Sequence, residues 1–352
     1  MPQLAGGGAE RVVAALAAEM SKVRGYEIHI VVYTRDEERD YPVDGQVIWH
    51  AMDGQRSKLL GRIAEKIRFL RRYIRDIEPD RVISLGGPAI ITLLTVAMIG
   101  SSVPLILSER NDPRRYPKER YLRVLLRWVY KRCDGLVFQT REAMEFFPLS
   151  VRKKSVVIGN PLTGALPERY EGKREKRIVT ACRLNTQKNL PLLVDAFSDL
   201  AEEFPEYTLD IYGEGPERER LTEKIKDKGL SKRIILRGFS DHIYEDIPKA
   251  ALFVLPSDYE GISNSMLEAI ALGVPTVCTD CPVGGARETI AHGVNGLLVP
   301  VGDRAALADA MRRILCDEAF AENLSREGVK LRERLSVAAV TQEWLNYLEV
   351  LG

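Results

Sequence analysis

The 352-residue sequence lacks a long apolar run, a cysteine framework and an excess of charge of either sign. Its longest apolar stretch, residues 89–99, ends before Gly100 and Pro104 and is shorter than the roughly 20 residues of a membrane-spanning helix. The five cysteines are unevenly spaced and no signal peptide is recognisable, which favours the reducing cytoplasm. The net charge of +1 gives no indication of a nucleic-acid partner. We therefore expect a cytoplasmic protein that does not cross a membrane.

Several catalytic patterns are also missing. Cys278 and Cys281 form C-x-x-C, but no second pair or nearby histidine completes a zinc site. The run Gly6-Gly7-Gly8 lacks the G-x-G-x-x-G spacing of nicotinamide-dependent dehydrogenases. No Ser-His-Asp or Cys-His set suggests a covalent nucleophile, and no Asp-x-Asp pair occurs. Metal, redox and covalent chemistry are thus disfavoured.

The charge is distributed unevenly along the chain. Residues 1–160 contain 27 Lys and Arg against 19 Asp and Glu, whereas residues 161–352 contain 24 against 31. The first part is therefore at +8 and the second at −7. This excess of positive charge predicts that the first part faces an anionic partner.

Strand-like apolar runs alternate with helical periodicity over almost the whole chain. This alternation predicts an α/β protein with parallel sheets covered by helices on both faces. The length suits two domains. The predicted strands are residues 27–33, 46–50, 81–85, 104–108, 135–139, 155–159, 177–182, 207–212, 233–237, 251–256, 275–279 and 296–299.

The division between the two sheets is predicted at Asn160-Pro161, where a polar segment containing glycine and proline follows a strand. We expect one domain over residues 1–160, a second over residues 161–335, and a last helix over residues 336–352. Ligands of such sheets bind at the carboxyl ends of the strands. Functional residues are therefore sought in the loops after the strands.

The chain opens with a glycine turn that leads into an amphipathic helix. Its predicted inward residues are Val12, Val13, Leu16 and Met20. Such a turn normally follows a strand, and only residues 1–5 precede it. Either the first central strand is very short or the true start lies upstream.

Glu260 and Glu268 are separated by seven residues in the segment EGISNSMLEAIALGVP. A helix is predicted from Asn264 or Ser265 to Gly273. Glu260 then lies in the loop after a strand, where a carboxylate can accept hydrogen bonds from sugar hydroxyls and the following helix start attracts phosphate. Two interpretations of Glu268 remain open, a ligand contact and a capping box with Ser265.

Several motifs in the same order resemble the GT4 family of retaining glycosyltransferases, which have the GT-B fold of two Rossmann-like domains facing a central cleft. The two glutamates are similar to the E-x7-E signature of that family. The segments GGGAERV, ACRLNTQKN, IYGEGP and HGVNGLLVPVGD are similar to further motifs of the family. The resemblance covers essentially the whole chain.

Loss of a nucleoside diphosphate from a sugar leaves growing negative charge that a cation must neutralise. Arg183 and Lys188 follow a predicted strand and match the family motif, so we expect them to replace a metal ion. The alternative is that both are ordinary exposed loop cations. No cofactor is expected besides the nucleotide-sugar donor, for which UDP is the expected nucleotide.

The resemblance also implies roles for other residues. Glu260 would bind the hydroxyls of the donor sugar, and Glu268 the ribose. Phe239 would contact the base or only pack in the core. The remaining residues expected at the donor are Gly7, Gly8, Gly213, Gly215, Arg237, Gly238, Gly261, Ser263, Asn264 and Ser265. Gly213 and Gly215 also fit an ordinary turn from a strand to a helix.

Glu109 stands where many relatives have a histidine. The loop SERNDPRRYP resembles that of relatives acting on sugars linked to polyprenyl diphosphate. Glu109 is therefore a candidate catalytic residue. A structural ion pair with Arg110 is the alternative.

Two basic amphipathic segments lie in the first domain. Arg62, Lys66, Arg71, Arg72 and Arg75 belong to the first, and residues 114–132 form the second, with interleaved aromatic residues. Both fit an ordinary solvated surface as well as binding to anionic headgroups or a lipid diphosphate.

The sequence thus predicts a retaining glycosyltransferase that uses a UDP-sugar and a lipid-linked saccharide on the inner face of the cell membrane. The alternatives are an enzyme of lipopolysaccharide or exopolysaccharide synthesis with another donor, and a catalytically silent nucleotide-sugar-binding subunit.

Overall fold

The computed structural model describes residues 1, 3–5, 7–43, 45–52, 59–240 and 242–351, with the side chains of residues 59–61 left out. Gly6 of the predicted glycine loop and Lys58 of the first basic segment lie outside these residues. The chain divides into two compact units, Met1–Thr163 with Leu335–Gly352, and Gly164–Arg334.

The first unit contains two parallel sheets, ordered β1-β2 and β3-β4-β5-β6. The strands are β1 Ile28–Val32, β2 Val47–Ala51, β3 Val82–Ser84, β4 Leu105–Glu109, β5 Gly135–Phe138 and β6 Ser155–Val157. The helices are α1 Gly8–Met20, α2 Leu59–Ile77, α3 Pro88–Ala97, α4 Arg120–Arg132, α5 Arg141–Glu145 and α6 Leu149–Arg152. As predicted, the inner face of α1 is apolar, with Val12, Leu16 and Met20 buried and Val13 half-buried.

The second unit contains a six-stranded parallel sheet in the order β12-β11-β10-β7-β8-β9. The strands are β7 Glu175–Ala181, β8 Thr208–Tyr212, β9 Ile234–Gly238, β10 Ala250–Leu255, β11 Thr276–Thr279 and β12 Leu297–Val299. The helices are α7 Leu190–Leu200, α8 Arg218–Asp227, α9 Ile243–Asp246, α10 Asn264–Ala271, α11 Arg304–Cys316, α12 Glu318–Val329 and α13 Leu331–Arg334, with 3-10 turns at Thr186–Lys188 and Ile247–Lys249.

The last helix, α14 (Val337–Val350), packs in the core of the first unit. Trp344 is 1% exposed and clusters with Leu16 and Val137. The Tyr347 hydroxyl accepts a hydrogen bond from the Leu136 N–H (2.9 Å) and donates one to the Lys154 carbonyl (2.6 Å). The carboxyl terminus of the chain thus completes the amino-terminal unit.

All twelve predicted strands are present, and their ends agree with the observed ends within two residues. The prediction succeeds because strands buried on both faces give continuous apolar runs. In the described part of the chain, no helix is both long enough and apolar enough to span a membrane.

Candidate functional site

The loops after β7 and β10 contact each other at the carboxyl edge of the second sheet. Lys188 ends a 3-10 turn, and its ammonium forms an ion pair with the carboxylate of Glu260. The two side chains are 13% and 12% exposed. The Ser257 hydroxyl donates to the same carboxylate oxygen at 2.8 Å. A cation and a hydroxyl therefore hold the carboxylate of Glu260 in place.

Two amides beside Lys188 fasten the same loops together. The Gln187 side chain donates to the Tyr259 carbonyl at 2.8 Å, and the Asn189 side chain donates to the Asp258 carboxylate at 2.7 Å. Asn189 has φ 43° and ψ 43°, a left-handed conformation that asparagine tolerates better than most residues. The sequence prediction did not single out Gln187 or Ser257, whose only signal is their position beside the motif residues.

The environment of Lys188 favours its charged form. Burial lowers the pKa of Lys188, but the Glu260 carboxylate, together with Cys182 and Cys281, outweighs burial and the pKa is raised overall. Lys188 therefore remains protonated at neutral pH. It is partly buried and ion-paired, so the alternative of an ordinary exposed cation does not describe it.

Arg183 lies on the same loop but is exposed. Within the described part of the chain its side chain forms no ion pair. The loop backbone is anchored on both sides of it, since the Cys182 N–H donates to the Tyr212 carbonyl (3.1 Å) and the Leu184 N–H donates to the Glu214 carbonyl (2.9 Å). The guanidinium thus projects from a fixed backbone and can bind an anion.

Gly213 and Gly215 let the β8 loop approach the Arg183 loop. A Cβ at Gly213, where φ is +121°, would lie 1.9 Å from the Cys182 carbonyl oxygen. A Cβ at Gly215 would lie 2.2 Å from the Leu184 carbonyl oxygen. The close approach is therefore to neighbouring backbone, and these glycines position the loop that carries Arg183.

The helix α10 begins one residue after Ser263, its N-cap. The Ser263 hydroxyl lies 3.1 Å from the Ser265 hydroxyl and makes no capping hydrogen bond. The capping box, one of the two interpretations left open for Glu268, does not fit, because Ser263 is the N-cap and Ser265 lies inside the first turn. Glu268 is buried, at 7% exposure.

Gly261 follows Glu260 and is covered by the loop after β11. A Cβ at Gly285 would lie 1.6 Å from the Gly261 carbonyl oxygen, so only glycine fits at position 285. Gly285 was not predicted, although the pair Gly284-Gly285 after a strand is a signal for such a contact. The turn between Glu260 and α10 is thus closely packed.

The carboxyl end of β9 presents a charged and an aromatic side chain. Arg237 forms an ion pair with the buried Asp210 at 3.1 Å. Gly238, at φ +77°, accepts a hydrogen bond from the Gly213 N–H at 2.7 Å. Phe239 is 76% exposed, so the alternative that it only packs in the core is wrong.

In the first unit, Gly7 is the N-cap of α1 and Gly8 is its first residue. A Cβ on Gly7 would lie 2.0 Å from the Glu10 carboxylate. The amino end of α1 is therefore approached by an acidic side chain of its own first turn. A bound phosphate here would require Glu10 to move away.

Glu109 ends β4 and is buried, at 6% exposure. It accepts hydrogen bonds from the Tyr130 hydroxyl (2.5 Å) and the Asn111 N–H (3.0 Å). Arg110 instead hydrogen-bonds to Asn160, so the alternative ion pair between Glu109 and Arg110 is wrong. Burial raises the pKa of Glu109 to about 7, although these hydrogen bonds lower it.

The five basic residues predicted on α2 differ in the contacts that their side chains make. Arg71 donates to the Ala97 and Val96 carbonyls at the carboxyl end of α3, both at 3.3 Å. Arg72 and Arg75 are paired with Asp76, and the Lys66 ammonium lies 4.5 Å from the Tyr33 ring centroid. Arg62 is exposed. Arg71 therefore has a structural role that the charge pattern did not reveal.

Helix α4 carries an exposed apolar stripe. The exposed fractions are 71% for Tyr121, 66% for Val124, 37% for Leu125 and 38% for Trp128. This spacing places the four side chains on one helix face. Basic residues of the same helix are also exposed, namely Arg120, Arg127, Lys131 and Arg132.

An open pocket of about 530 Å³ lies beside α2. Its lining includes Arg68, Phe69, Arg72 and Tyr73. Two guanidinium groups and two aromatic rings can contact a saccharide, and Glu65 adds one carboxylate to the same lining. Among the described residues, no group of three or more His, Cys, Asp or Glu side chains could hold a metal ion.

Sequence profiles of two families match the two units in turn. The profile described as Glycosyltransferase Family 4 matches residues 6–162, and the profile described as Glycosyl transferases group 1 matches residues 167–331.

Two curated proteins illustrate the relatives. An exopolysaccharide phosphotransferase of Streptomyces coelicolor is 30% identical over 78% of this chain and 29% of its own length. The N-acetylgalactosamine-N,N'-diacetylbacillosaminyl-diphospho-undecaprenol 4-alpha-N-acetylgalactosaminyltransferase of Campylobacter jejuni is 25% identical over 98% of this chain and 97% of its own length. The chain spans 29% and 32% of the length of the first two curated relatives that it matches.

Solved structures share the fold. HepE of Anabaena, in complex with UDP-glucose, superposes with a TM-score of 0.79 at 18% identity, over 98% of this chain and 96% of that chain. Sucrose-phosphate synthase of Thermosynechococcus elongatus superposes with a TM-score of 0.79 at 18% identity, over 98% and 94%. The fold is therefore GT-B.

Proposed function

Because this chain belongs to the family 4 glycosyltransferases, we propose that it moves a hexose or an N-acetylhexosamine from a UDP-sugar to a saccharide on polyprenyl diphosphate. The observation that carries this proposal is the partly buried Lys188–Glu260 pair, on loops that also carry Arg183 and lead into α10. In this arrangement the carboxylate of Glu260 can bind sugar hydroxyls. The cations Arg183 and Lys188 and the amino end of α10 can bind the diphosphate.

In the proposed reaction, the acceptor oxygen bonds to the anomeric carbon on the face from which the diphosphate departs. The bond between the anomeric carbon and the diphosphate breaks, and a phosphate oxygen takes the proton of the acceptor hydroxyl. The configuration is therefore retained without a covalent intermediate. The growing charge on the diphosphate is stabilised by Arg183 and by Lys188, whose pKa is raised overall.

These two cations take the place of a divalent metal ion in the proposal. It follows that turnover continues in the presence of EDTA. Dependence of turnover on added Mg²⁺ or Mn²⁺ would contradict this part of the proposal.

The donor nucleotide is proposed to extend from α10 towards the end of β9. Glu268 is near enough to the helix start to bind the ribose, and the exposed ring of Phe239 can stack on the base. The presence of UDP in the complexes of HepE supports this choice of nucleotide.

The first unit is proposed to meet the lipid-linked acceptor at an anionic membrane surface. The exposed stripe of α4, with Tyr121 and Trp128 among arginines, suits the boundary between headgroups and acyl chains. The pocket lined by Arg68 and Arg72 suits a saccharide diphosphate. The undecaprenol-linked substrate named for the Campylobacter relative supports this class of acceptor.

The test is the binding of UDP, measured by calorimetry, to variants of the donor site. Arg183→Ala should weaken UDP binding at least about tenfold, since a charged hydrogen bond contributes about 1.5–3 kcal/mol. Arg220→Ala is the matched control, because Arg220 is an exposed arginine of the same unit paired with Glu217. If Arg183→Ala bound UDP with unchanged affinity, Arg183 would not be part of the donor site.

A panel of UDP, GDP and ADP sugars separates the proposal from its alternatives. Transfer from a UDP-sugar to a polyprenyl-diphosphate saccharide supports it. Transfer only from another nucleotide sugar supports the alternative of an enzyme of lipopolysaccharide or exopolysaccharide synthesis. Binding of UDP with no transfer to any acceptor would identify a silent subunit.

A further inference from the structure

The chain reverses direction shortly after β11, and one residue at the centre of this turn has an unusual backbone. The Gly284 N–H donates to the Cys281 carbonyl at 3.2 Å, which closes a four-residue turn with Pro282 and Val283 at its centre. Proline at the second position and a positive φ at the third are typical of a type II turn, and φ is +63° at Val283. The third position of such a turn normally holds glycine or asparagine.

Valine is an unfavourable residue for this conformation. A left-handed backbone brings the Cβ atom close to the following carbonyl oxygen, and the β-branched side chain of valine makes the crowding worse. The Val283 side chain is nevertheless fully buried, at 0% exposure. Strain of this kind persists only where the surrounding packing holds the residue in place, and it is concentrated at functional sites. The turn is therefore held by the packing of Val283 and not by its backbone preference.

Immediately after this turn, the chain contacts the segment that joins Glu260 to α10. A Cβ at Gly285 would lie 1.6 Å from the Gly261 carbonyl oxygen, so the two backbones are in close contact. Cys281 and Ala286, on either side of the turn, line with Glu260 a cavity of only about 10 Å³. Such a cavity has no room for more than one water molecule. The loop thus leaves the Glu260 segment almost no space in which to move.

An ion pair joins the two ends of the same loop at the surface. The Arg287 guanidinium donates two hydrogen bonds to the Asp280 carboxylate, at 2.9 Å and 2.7 Å. Asp280 is also anchored to β12, because its N–H donates to the Val299 carbonyl at 2.8 Å. Residues 280–287 therefore form a closed loop, which we call the brace loop.

We propose that the brace loop positions the donor site and that Val283 is its positioning residue, which keeps Gly285 against Gly261 and so holds the Glu260 carboxylate and the amino end of α10 in place before the donor binds. This inference rests on the proposed function, because it assigns a task at the same site. A site that already has its binding geometry loses less conformational entropy on binding. The strained turn therefore increases donor affinity, and the buried Val283 side chain acts through Gly261.

Three variants of the full chain test this role. Val283→Gly removes the side chain that holds the turn and lets residue 283 adopt many backbone conformations. Val283→Thr keeps the β-branched shape but buries a hydroxyl group, which lowers stability. Val194→Ala is the matched control, because Val194 is a fully buried valine of α7, at 0% exposure.

Two quantities are measured, the affinity for UDP by calorimetry and the hydrogen exchange of a peptide covering residues 260–268. Val283→Gly should weaken UDP binding at least about fivefold and speed up this exchange at least about tenfold. Val283→Thr and Val194→Ala should lower Tm and leave both quantities unchanged. If UDP affinity followed Tm across all three variants, or if Val283→Gly exchanged faster without binding UDP more weakly, Val283 would only pack in the core and the inference would be overturned.

A further variant keeps the inference testable if Val283→Gly does not fold. Arg287→Gln opens the brace loop at its exposed end, and Arg304→Gln is its control, because Arg304 forms an exposed ion pair with Asp199. Faster exchange of residues 260–268 in Arg287→Gln alone supports the inference, and equal exchange in both variants overturns it.

The exchange measurement needs no ligand, so it separates this inference from the proposed function. Absence of UDP binding in the wild type would contradict the proposed donor. The exchange of residues 260–268 would still decide whether the brace loop holds the Glu260 segment in place.

Discussion

At the scale of the residue, the molecule places two carboxyl groups in opposite environments. Glu260 forms an ion pair with the partly buried Lys188 and accepts a hydrogen bond from Ser257, and we propose that its carboxylate binds sugar hydroxyls. Glu109 is buried, and burial, with a smaller contribution from the Asp112 carboxylate, raises its pKa to about 7 against the hydrogen bond from Tyr130. The same residue type therefore serves different tasks.

The raised pKa of Glu109 predicts a dependence of stability on pH. The folded state keeps the proton up to about pH 7, whereas the unfolded chain releases it near the ordinary glutamate pKa of 4.5. The stabilising contribution is present below pH 4.5 and is lost as pH rises through 7. From this group alone, the free energy of unfolding should fall by about 3 kcal/mol between pH 4 and pH 8.

Urea unfolding over this pH range tests the assignment. Glu109→Gln should remove this component of the pH profile. Tyr130→Phe should move its midpoint upward, because the hydrogen bond from Tyr130 lowers the pKa. Parallel profiles for the wild type and Glu109→Gln would contradict the prediction.

Gly215 offers a second test at this scale. Gly215→Ala should lower the free energy of unfolding by about 2 kcal/mol, because the new Cβ would lie 2.2 Å from the Leu184 carbonyl oxygen. UDP affinity should fall with it, since the displaced loop carries Arg183. Gly229→Ala is the control, because Gly229 has a positive φ but no atom within 4 Å of the new Cβ. If Gly229→Ala weakened UDP binding as much as Gly215→Ala does, displacement of the Arg183 loop would not be the cause.

At the scale of the element, helix α4 has two faces with different partners. Leu126, Val129 and Tyr130 are buried in the first unit, whereas Tyr121 and Trp128 are exposed among arginines. An amphipathic helix usually exposes only polar residues. The exposed stripe therefore supports a role in binding, and we propose a lipid surface.

The double change Tyr121→Ser and Trp128→Ser should weaken binding to vesicles containing anionic phosphatidylglycerol at least about tenfold, because it removes apolar area that enters the bilayer. Sedimentation with the vesicles measures this. Val350→Ser, at a site that is 84% exposed on α14, is the matched control. If the double variant bound the vesicles as tightly as Val350→Ser does, α4 would not insert into the bilayer.

At the scale of the whole molecule, the first of the two units is built from two separate stretches of the chain. The chain leaves the first unit after Thr163 and returns to it at Leu335. The side chain of Trp344 then fills the core of the first unit. Folding of the amino-terminal unit therefore depends on the end of the chain.

Trp344→Ala should lower the stability of the first unit by about 3–5 kcal/mol, because it leaves a large cavity. Hydrogen exchange followed by mass spectrometry should show faster exchange in peptides of β4 and β5, with little change in β7 and β8. Tyr347→Phe should have a smaller effect, since it keeps the ring and loses two hydrogen bonds. Equal acceleration in both units would mean that they unfold together.

The sequence by itself determined the elements and the family. All twelve strands were predicted from apolar runs, because successive residues of a strand buried on both faces are apolar. The family was predicted from several motifs that occur in the same order as in its members. The sequence located Lys188 and Glu260 in loops after strands, but it did not reveal that they form an ion pair.

Only the tertiary structure decided which distant residues meet. Lys188 contacts Glu260 across 72 positions of sequence, and Tyr347 contacts Leu136 across 211. It also showed that Ser263, not Ser265, is the N-cap of α10, and that the Arg71 side chain donates to a carbonyl at the end of α3. Such contacts depend on strand order and helix packing, which are set by the whole chain and leave no local pattern in the sequence.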